Sequence, residues 1–187
     1  MDSEDLKKAI VEFGKEGVLR YREISQSKHD NELPEVFLGS FIGPRLYDKF
    51  LYPIQLEKYY SVLAQDAHLL DSDGSLLTEL GGLRADLVMF PPNSPAVIVE
   101  LKIFDEGTQP SSIANDLSKM AKLTKSGKFR GYVAVLICEK SRKGLSDRIR
   151  DLQEALRSTI YSGPAVQSAT GNWEWCFGCA AVEQIPA

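Results

Sequence analysis

Between Arg84 and Phe104 the chain carries two apolar runs, RADLVMF and AVIVELKIF, separated by the breaker block Pro91-Pro92-Asn93-Ser94-Pro95. Val, Ile, Leu, Met and Phe dominate both runs, which predicts two strands joined by a hairpin loop. Upstream, Leu6, Ile10 and Phe13 recur at helical spacing behind a capping Ser3, predicting a short amphipathic helix over 4–16. The pattern fades after Gly14, and Arg20–Asn31 reads as a loop or a frayed helix. Pro34 suits the first position of the next helix, whose apolar surface is Val36, Phe37, Phe41, Leu46 and Phe50, with a kink expected near Gly43-Pro44. Residues 54–64 alternate imperfectly and read as a strand around Tyr59–Leu63. Asp71–Gly74 and Gly81-Gly82 read as turns.

Past the hairpin, Asp105–Ser112 is a loop, and Ile113, Leu117, Met120, Ala121 and Thr124 form the stripe of a helix over Ile113–Thr124. Gly131–Cys138 is almost free of charge, as in a strand buried on both faces. Leu145, Ile149, Leu152 and Leu156 repeat at helical spacing in a segment ended by Gly163-Pro164, and Trp173–Ala181 reads as a last strand. This order of elements predicts an α/β layer fold with a mixed sheet flanked by helices, in one domain over residues 1–187.

The hairpin has a register that can be counted. With the five breaker residues as the loop, Phe90 pairs with Ala96, Asp86 lies opposite Glu100, and Arg84 lies opposite Lys102. Parity places Ala96, Ile98, Glu100 and Lys102 on one face and Val97, Val99, Leu101 and Ile103 on the other. Two carboxylates on one rung would stand roughly 4.5–5.5 Å apart at Cβ, which destabilises the pair until something neutralises it. A divalent cation does so.

Composition changes the picture little until charge is mapped along the chain. The 187 residues are 43% hydrophobic and 26% charged, ordinary for one globular domain, with no long uncharged apolar run and a charged N-terminus, MDSEDLKKAIVEFGKEG. Three cysteines, Cys138, Cys176 and Cys179, make no disulfide framework. Together these predict a cytoplasmic protein with no membrane partner. The net charge of −4 divides unevenly: residues 117–150 carry +8 and the remainder −12. A basic block beside an acidic cleft suits a protein that binds a polyanion. Lys119, Lys122, Lys125, Lys128 and Arg130 are the candidate nucleic-acid-binding residues.

Asp86, Glu100 and the backbone carbonyl of Leu101 are hard oxygen donors that suit Mg²⁺ or Mn²⁺, cations that also bind phosphate oxygens. Lys102 shares the face of Glu100, where it can orient or help deprotonate a metal-bound water, or offset charge developing on a phosphate. Metal-assisted hydrolysis of a phosphodiester uses all of these groups. Asp86 followed by Glu100-Leu101-Lys102 at the end of an apolar strand resembles the PD-(D/E)xK nuclease superfamily, the restriction-endonuclease-like fold. The resemblance covers roughly residues 34–138 and implies an αβββαβ core and divalent-metal-dependent cleavage of nucleic acid, DNA ahead of RNA. It also implies metal ligation at Asp86 and Glu100 and a catalytic role for Lys102. Many members add a glutamate on the first core helix, a place that Glu35 fits. Ala85 stands where the family's motif has a proline before Asp86.

A second class of function remains open: a nuclease-fold subunit that binds nucleic acid within a larger assembly without cutting it. The modest length leaves little room for a separate recognition domain, so a homodimer or a partner protein is expected. Cys176-Phe-Gly-Cys179 lacks a second ligand pair for zinc, with His29 and His68 isolated, and reads as buried apolar surface. Trp173 and Trp175 read as core or partner-facing surface, and Glu57 and Glu79 are spare carboxylates.

Overall fold

The computed structural model describes residues 1–25, 33–69, 75–168 and 170–182, so the expected turn at Asp71–Gly74, the stretch 26–32 and His29 lie outside the described residues. Within them a seven-stranded mixed sheet runs in the order β1-β2-β3-β4-β7-β5, with β6 also pairing β7. The strands are β1 (Ile54–Tyr59), β2 (Arg84–Met89), β3 (Ala96–Phe104), β4 (Phe129–Glu139), β5 (Tyr161–Ser162), β6 (Val166–Gln167) and β7 (Glu174–Ala181). Among the described strands only β3 and β4 are parallel. The crossover between them is the helix pair α5 (Pro110–Asp116) and α6 (Ser118–Thr124).

Two apolar clusters sandwich the sheet. Against one face lie α1 (Ser3–Ser25) and α2 (Glu35–Phe50), whose Leu6, Ile10, Leu38, Ile42 and Leu46 pack with Leu87, Val97, Val99 and Leu101. Against the other lie α3 (Tyr60–Asp66), α4 (Ser75–Leu80), α5, α6 and α7 (Arg142–Leu156), whose Tyr60, Leu63, Leu117, Met120 and Leu152 pack with Val88, Ile98, Val133 and Val135. The expected α/β class, mixed sheet and parity of β3 all hold, because β3 and β4 are central strands with a helical layer on each side.

Three expected elements differ from the sequence reading, which also lacks α4, β5 and β6. The first helix does not stop near residue 16 but continues to Ser25. Glycine weakens helical propensity, yet Gly14 and Gly17 are needed for close approach. A Cβ on Gly14 would lie 2.2 Å from the Phe177 ring, and one on Gly17 would lie 3.1 Å from the Phe41 ring. The strand expected around Tyr59–Leu63 is instead the end of β1 followed by α3. Tyr60, Leu63 and Ala64 recur at helical spacing and are buried, while β1 is an exposed edge strand that lacks a clear alternation. The helix expected over Ile113–Thr124 begins earlier, with Pro110 in its first turn, and breaks at Leu117 (φ −81°, ψ −8°). Helical hydrogen bonding persists across that residue, from Leu117 N–H to Ile113 O and from Ala121 N–H to Leu117 O.

Candidate active site

The hairpin register is the counted one: Leu87 faces Val99, Val88 faces Ile98 and Met89 faces Val97. The ladder then ends one rung before Asp86 and Glu100. Beyond it β2 parts from β3, leaving the odd-numbered N–H groups of β3 without a strand partner on that side. Side-chain carboxylates take their place. Asp86 Oδ2 accepts a 2.7 Å hydrogen bond from the Leu101 N–H, and the Ile103 N–H favours the charged form of Glu35, which reaches over from the first turn of α2. In an extended strand a residue's N–H and C=O point to the same edge, so the Leu101 carbonyl faces this opening too.

Glu100 sits on the rung below, buried to 1% exposure, in the face covered by α3 and α6. The Tyr60 phenol, at the start of α3, donates to Glu100 Oε1. Lys119 Nζ, on α6, lies 3.9 Å from Glu100 Oε2 and 5.3 Å from the centre of the Tyr60 ring. Burial, then the neighbouring Asp86 charge, push the Glu100 carboxyl up to about 7, against the opposing pull of Tyr60 and the two lysines. Burial and Glu100 together hold the Tyr60 phenol well above its usual range, so it remains a donor.

Lys102 projects between the two helical layers. Its Nζ lies 3.8 Å from Glu35 Oε2 and 3.7 Å from Asp116 Oδ2, the latter on the last residue of α5. Burial alone would lower the Lys102 pKa, but Glu35, Glu100, Asp86 and Asp116 outweigh it and the net shift is upward. Lys102 is therefore an ammonium throughout the neutral range, suited to stabilising negative charge and unsuited to removing a proton. For Glu35, burial raises the pKa more than Lys102 lowers it.

The structure thus brings Asp86, Glu100, Lys102 and Glu35 together. It adds Tyr60 and Asp116, which sequence reasoning missed, and moves Lys119 from the expected phosphate contacts to the side of Glu100. The signal for Tyr60 was its i, i+3, i+4 relation to Leu63 and Ala64; Asp116 lies off the apolar stripe of its helix and carried none. The remaining basic residues do not gather here. Lys122 pairs with Glu79, Lys128 donates to the Ala67 carbonyl, and Lys125 is exposed. Arg130 lies on the opposite sheet face, 3.4 Å from the Met1 carbonyl. Glu57 is exposed on β1, and Glu79 is held by Lys122. Cys176 and Cys179 fall on opposite faces of β7, in different clusters, so they cannot share a ligand, and burial raises both thiols, that of Cys176 to about 12.

Four carboxyls against two ammonium groups leave the cleft short of positive charge. Asp86 uses Oδ2 in the bond above and retains Oδ1, Glu100 uses Oε1 and turns Oε2 toward Lys119, and the Leu101 carbonyl faces the same edge as Asp86. Oxygens of this type are the donors that could hold a small hard cation. Among the described residues no group of three or more His, Cys, Asp or Glu is placed so that it could hold a metal ion. Mg²⁺ does not require such a group: it is usually held by one or two carboxylates together with substrate phosphate. Among the described residues no helix is long and apolar enough to cross a membrane. No family model, no characterised protein and no solved structure matches the chain.

Proposed function

We propose that the protein is a Mg²⁺- or Mn²⁺-dependent phosphodiesterase that hydrolyses nucleic acid, with DNA as the favoured substrate. The observation that carries this reading is the convergence of Asp86, Glu100 and Lys102 where β2 parts from β3, with Glu35 reaching in from α2. With α3 and α4 inserted between β1 and β2, the order α2, β1, β2, β3, α5–α6, β4 supports the reading, being that of the αβββαβ core that the resemblance implies. Asp86, Glu100 and the Leu101 carbonyl would hold the cation, which would supply an acidified water and neutralise charge on the phosphate. Asp86 is oriented for this by the Leu101 N–H, and Glu100 by the Tyr60 phenol. Lys102 offsets charge on the pentacovalent phosphate as it develops. Glu35 and Asp116 hold the Lys102 ammonium in the cleft and prevent it from losing its proton.

Incubation with supercoiled, linear and single-stranded DNA, with and without Mn²⁺ or Mg²⁺, tests the reading. Metal-dependent cleavage is expected, falling by about 100-fold or more in Lys102→Ala and Asp86→Ala, the scale seen when one charge-stabilising group is removed. Cleavage that persists in both variants overturns the assignment. No cleavage and no cation uptake at millimolar concentration, with salt-dependent DNA binding retained, would instead mark a binding subunit that has no hydrolytic role.

A further inference from the structure

Beside the carboxylate cleft, between α4 and the α5–α6 break, the surface sinks into a cavity of about 410 Å³. Two side chains belong to both places. Lys119 lines the cavity and approaches Glu100, and Asp116 lines it and holds Lys102. A ligand in the cavity is therefore one side chain away from the groups assigned to the phosphodiester.

Charge decides what kind of ligand fits. Lys119 and Lys122 supply two positive charges, and Asp116 and Glu79 cancel them; Lys122 and Glu79 pair directly at the exposed rim. A phosphate would meet two carboxylates, and a cation two ammonium groups. A neutral group with polar edges meets neither penalty. Leu80 and Leu83 give an apolar wall, and the Asn115 amide and the Ser118 hydroxyl offer both donors and acceptors. A flat neutral heterocycle with donors and acceptors on its edge is a nucleobase, and an Asn amide matches such an edge in two places at once. The volume lies near the lower end of the roughly 300–1,000 Å³ typical of small-molecule sites, the scale of a single nucleoside.

We propose that this cavity takes one unpaired nucleobase adjoining the phosphodiester held at Glu100 and Lys102, so the protein acts on a single strand or on a nucleotide turned out of its stack. The proposal rests on the nucleic-acid reading of the neighbouring cleft. Unstacking a base costs a few kcal/mol in a duplex and least where the strand is already unpaired. Single-stranded and mismatched sites are therefore the favoured targets.

The test uses 2-aminopurine, whose fluorescence rises when it leaves the stack, walked position by position through single-stranded and duplex oligonucleotides in the absence of divalent cation. With the unsubstituted protein a severalfold rise is expected at one position. It should fall in Asn115→Ala and disappear in Asn115→Trp, whose ring fills the cavity, with both variants checked for folding by circular dichroism. No rise at any position, or a rise that both Asn115 variants retain, overturns the proposal. Cleavage is measured separately with Mn²⁺, so the two readings fail apart. Cutting without the fluorescence change removes the base site alone, and the fluorescence change without cutting removes hydrolysis alone.

Discussion

Burial is the largest cause of the raised Glu100 pKa and Asp86 adds to it, so the folded chain keeps a proton there that the unfolded chain releases. The sign follows from linkage. With a folded pKa of about 7 against an ordinary 4.5, the group's contribution to stability is fully present below pH 4.5 and is lost as pH rises through 7. The difference corresponds to about 3 kcal/mol. In Glu100→Gln the amide keeps the shape and accepts from Tyr60 without ionising. That variant should lose less stability than the parent between pH 4.5 and pH 8, by about 3 kcal/mol in metal-free denaturant titrations. Equal pH dependence of the two proteins would mean that Glu100 ionises in the folded state without penalty. A metal site then would not be needed to relieve it. The same variant should not cleave DNA, since stability and function oppose each other at this residue.

The β2–β3 pairing shows which parts of the site a sequence can hold. Loop length and parity were enough to place Asp86 toward Glu100, because hairpin register is local and a slip would turn Val97, Val99 and Leu101 away from the α1–α2 layer. The ending of the ladder was not legible. It depends on Asp86 exchanging a strand partner for the Leu101 N–H, and on Glu35 arriving from a helix about 65 residues earlier. Tyr60 was hidden for a related reason, since a short edge strand running into a short helix carries too few turns to show its period. The neighbouring strand holds a further clue. Pairing of β1 with β2 skips the rung of Glu57 and Asp86, and Glu57 has φ 54°, a conformation that costs most residues about 1–2 kcal/mol. Glu57→Gly should therefore match or exceed the parent in stability. Glu57→Val, β-branched where φ is positive, should fall below it by about 1 kcal/mol or more. Val tolerated as well as Gly in chemical denaturation would show that the kink beside Asp86 is not imposed by the fold.

At the scale of the whole molecule, the basic run over residues 117–150 does not become one basic surface. Lys119 and Lys122 ride on α6 in the layer that covers Glu100, Lys125 caps its C-terminus, and then the chain enters the sheet as β4. There Arg130 turns to the opposite face and meets the start of α1, and Lys128 is occupied at the Ala67 carbonyl. Linear charge density predicts a surface only where the segment stays in one layer, and this one crosses the centre of the fold. Among the described residues the cations left in or beside the cleft are Lys102, Lys119 and Lys122, of which Lys102 and Lys119 already face carboxylates. DNA binding in the absence of divalent cation should accordingly show a shallow salt dependence, with a slope of log K against log salt of about −2 to −4 at roughly one unit per phosphate neutralised. Lys122→Ala should make that slope shallower by about one unit, and Arg130→Ala should leave both slope and affinity unchanged. The Lys122–Glu79 pair is exposed and worth at most about 1 kcal/mol, so breaking it should not unfold the protein and confuse the reading. A slope much steeper than this, indifferent to Lys122, would place the contact on a surface away from Glu100. The carboxylate cleft would then be separated from the nucleic acid that it is proposed to cut.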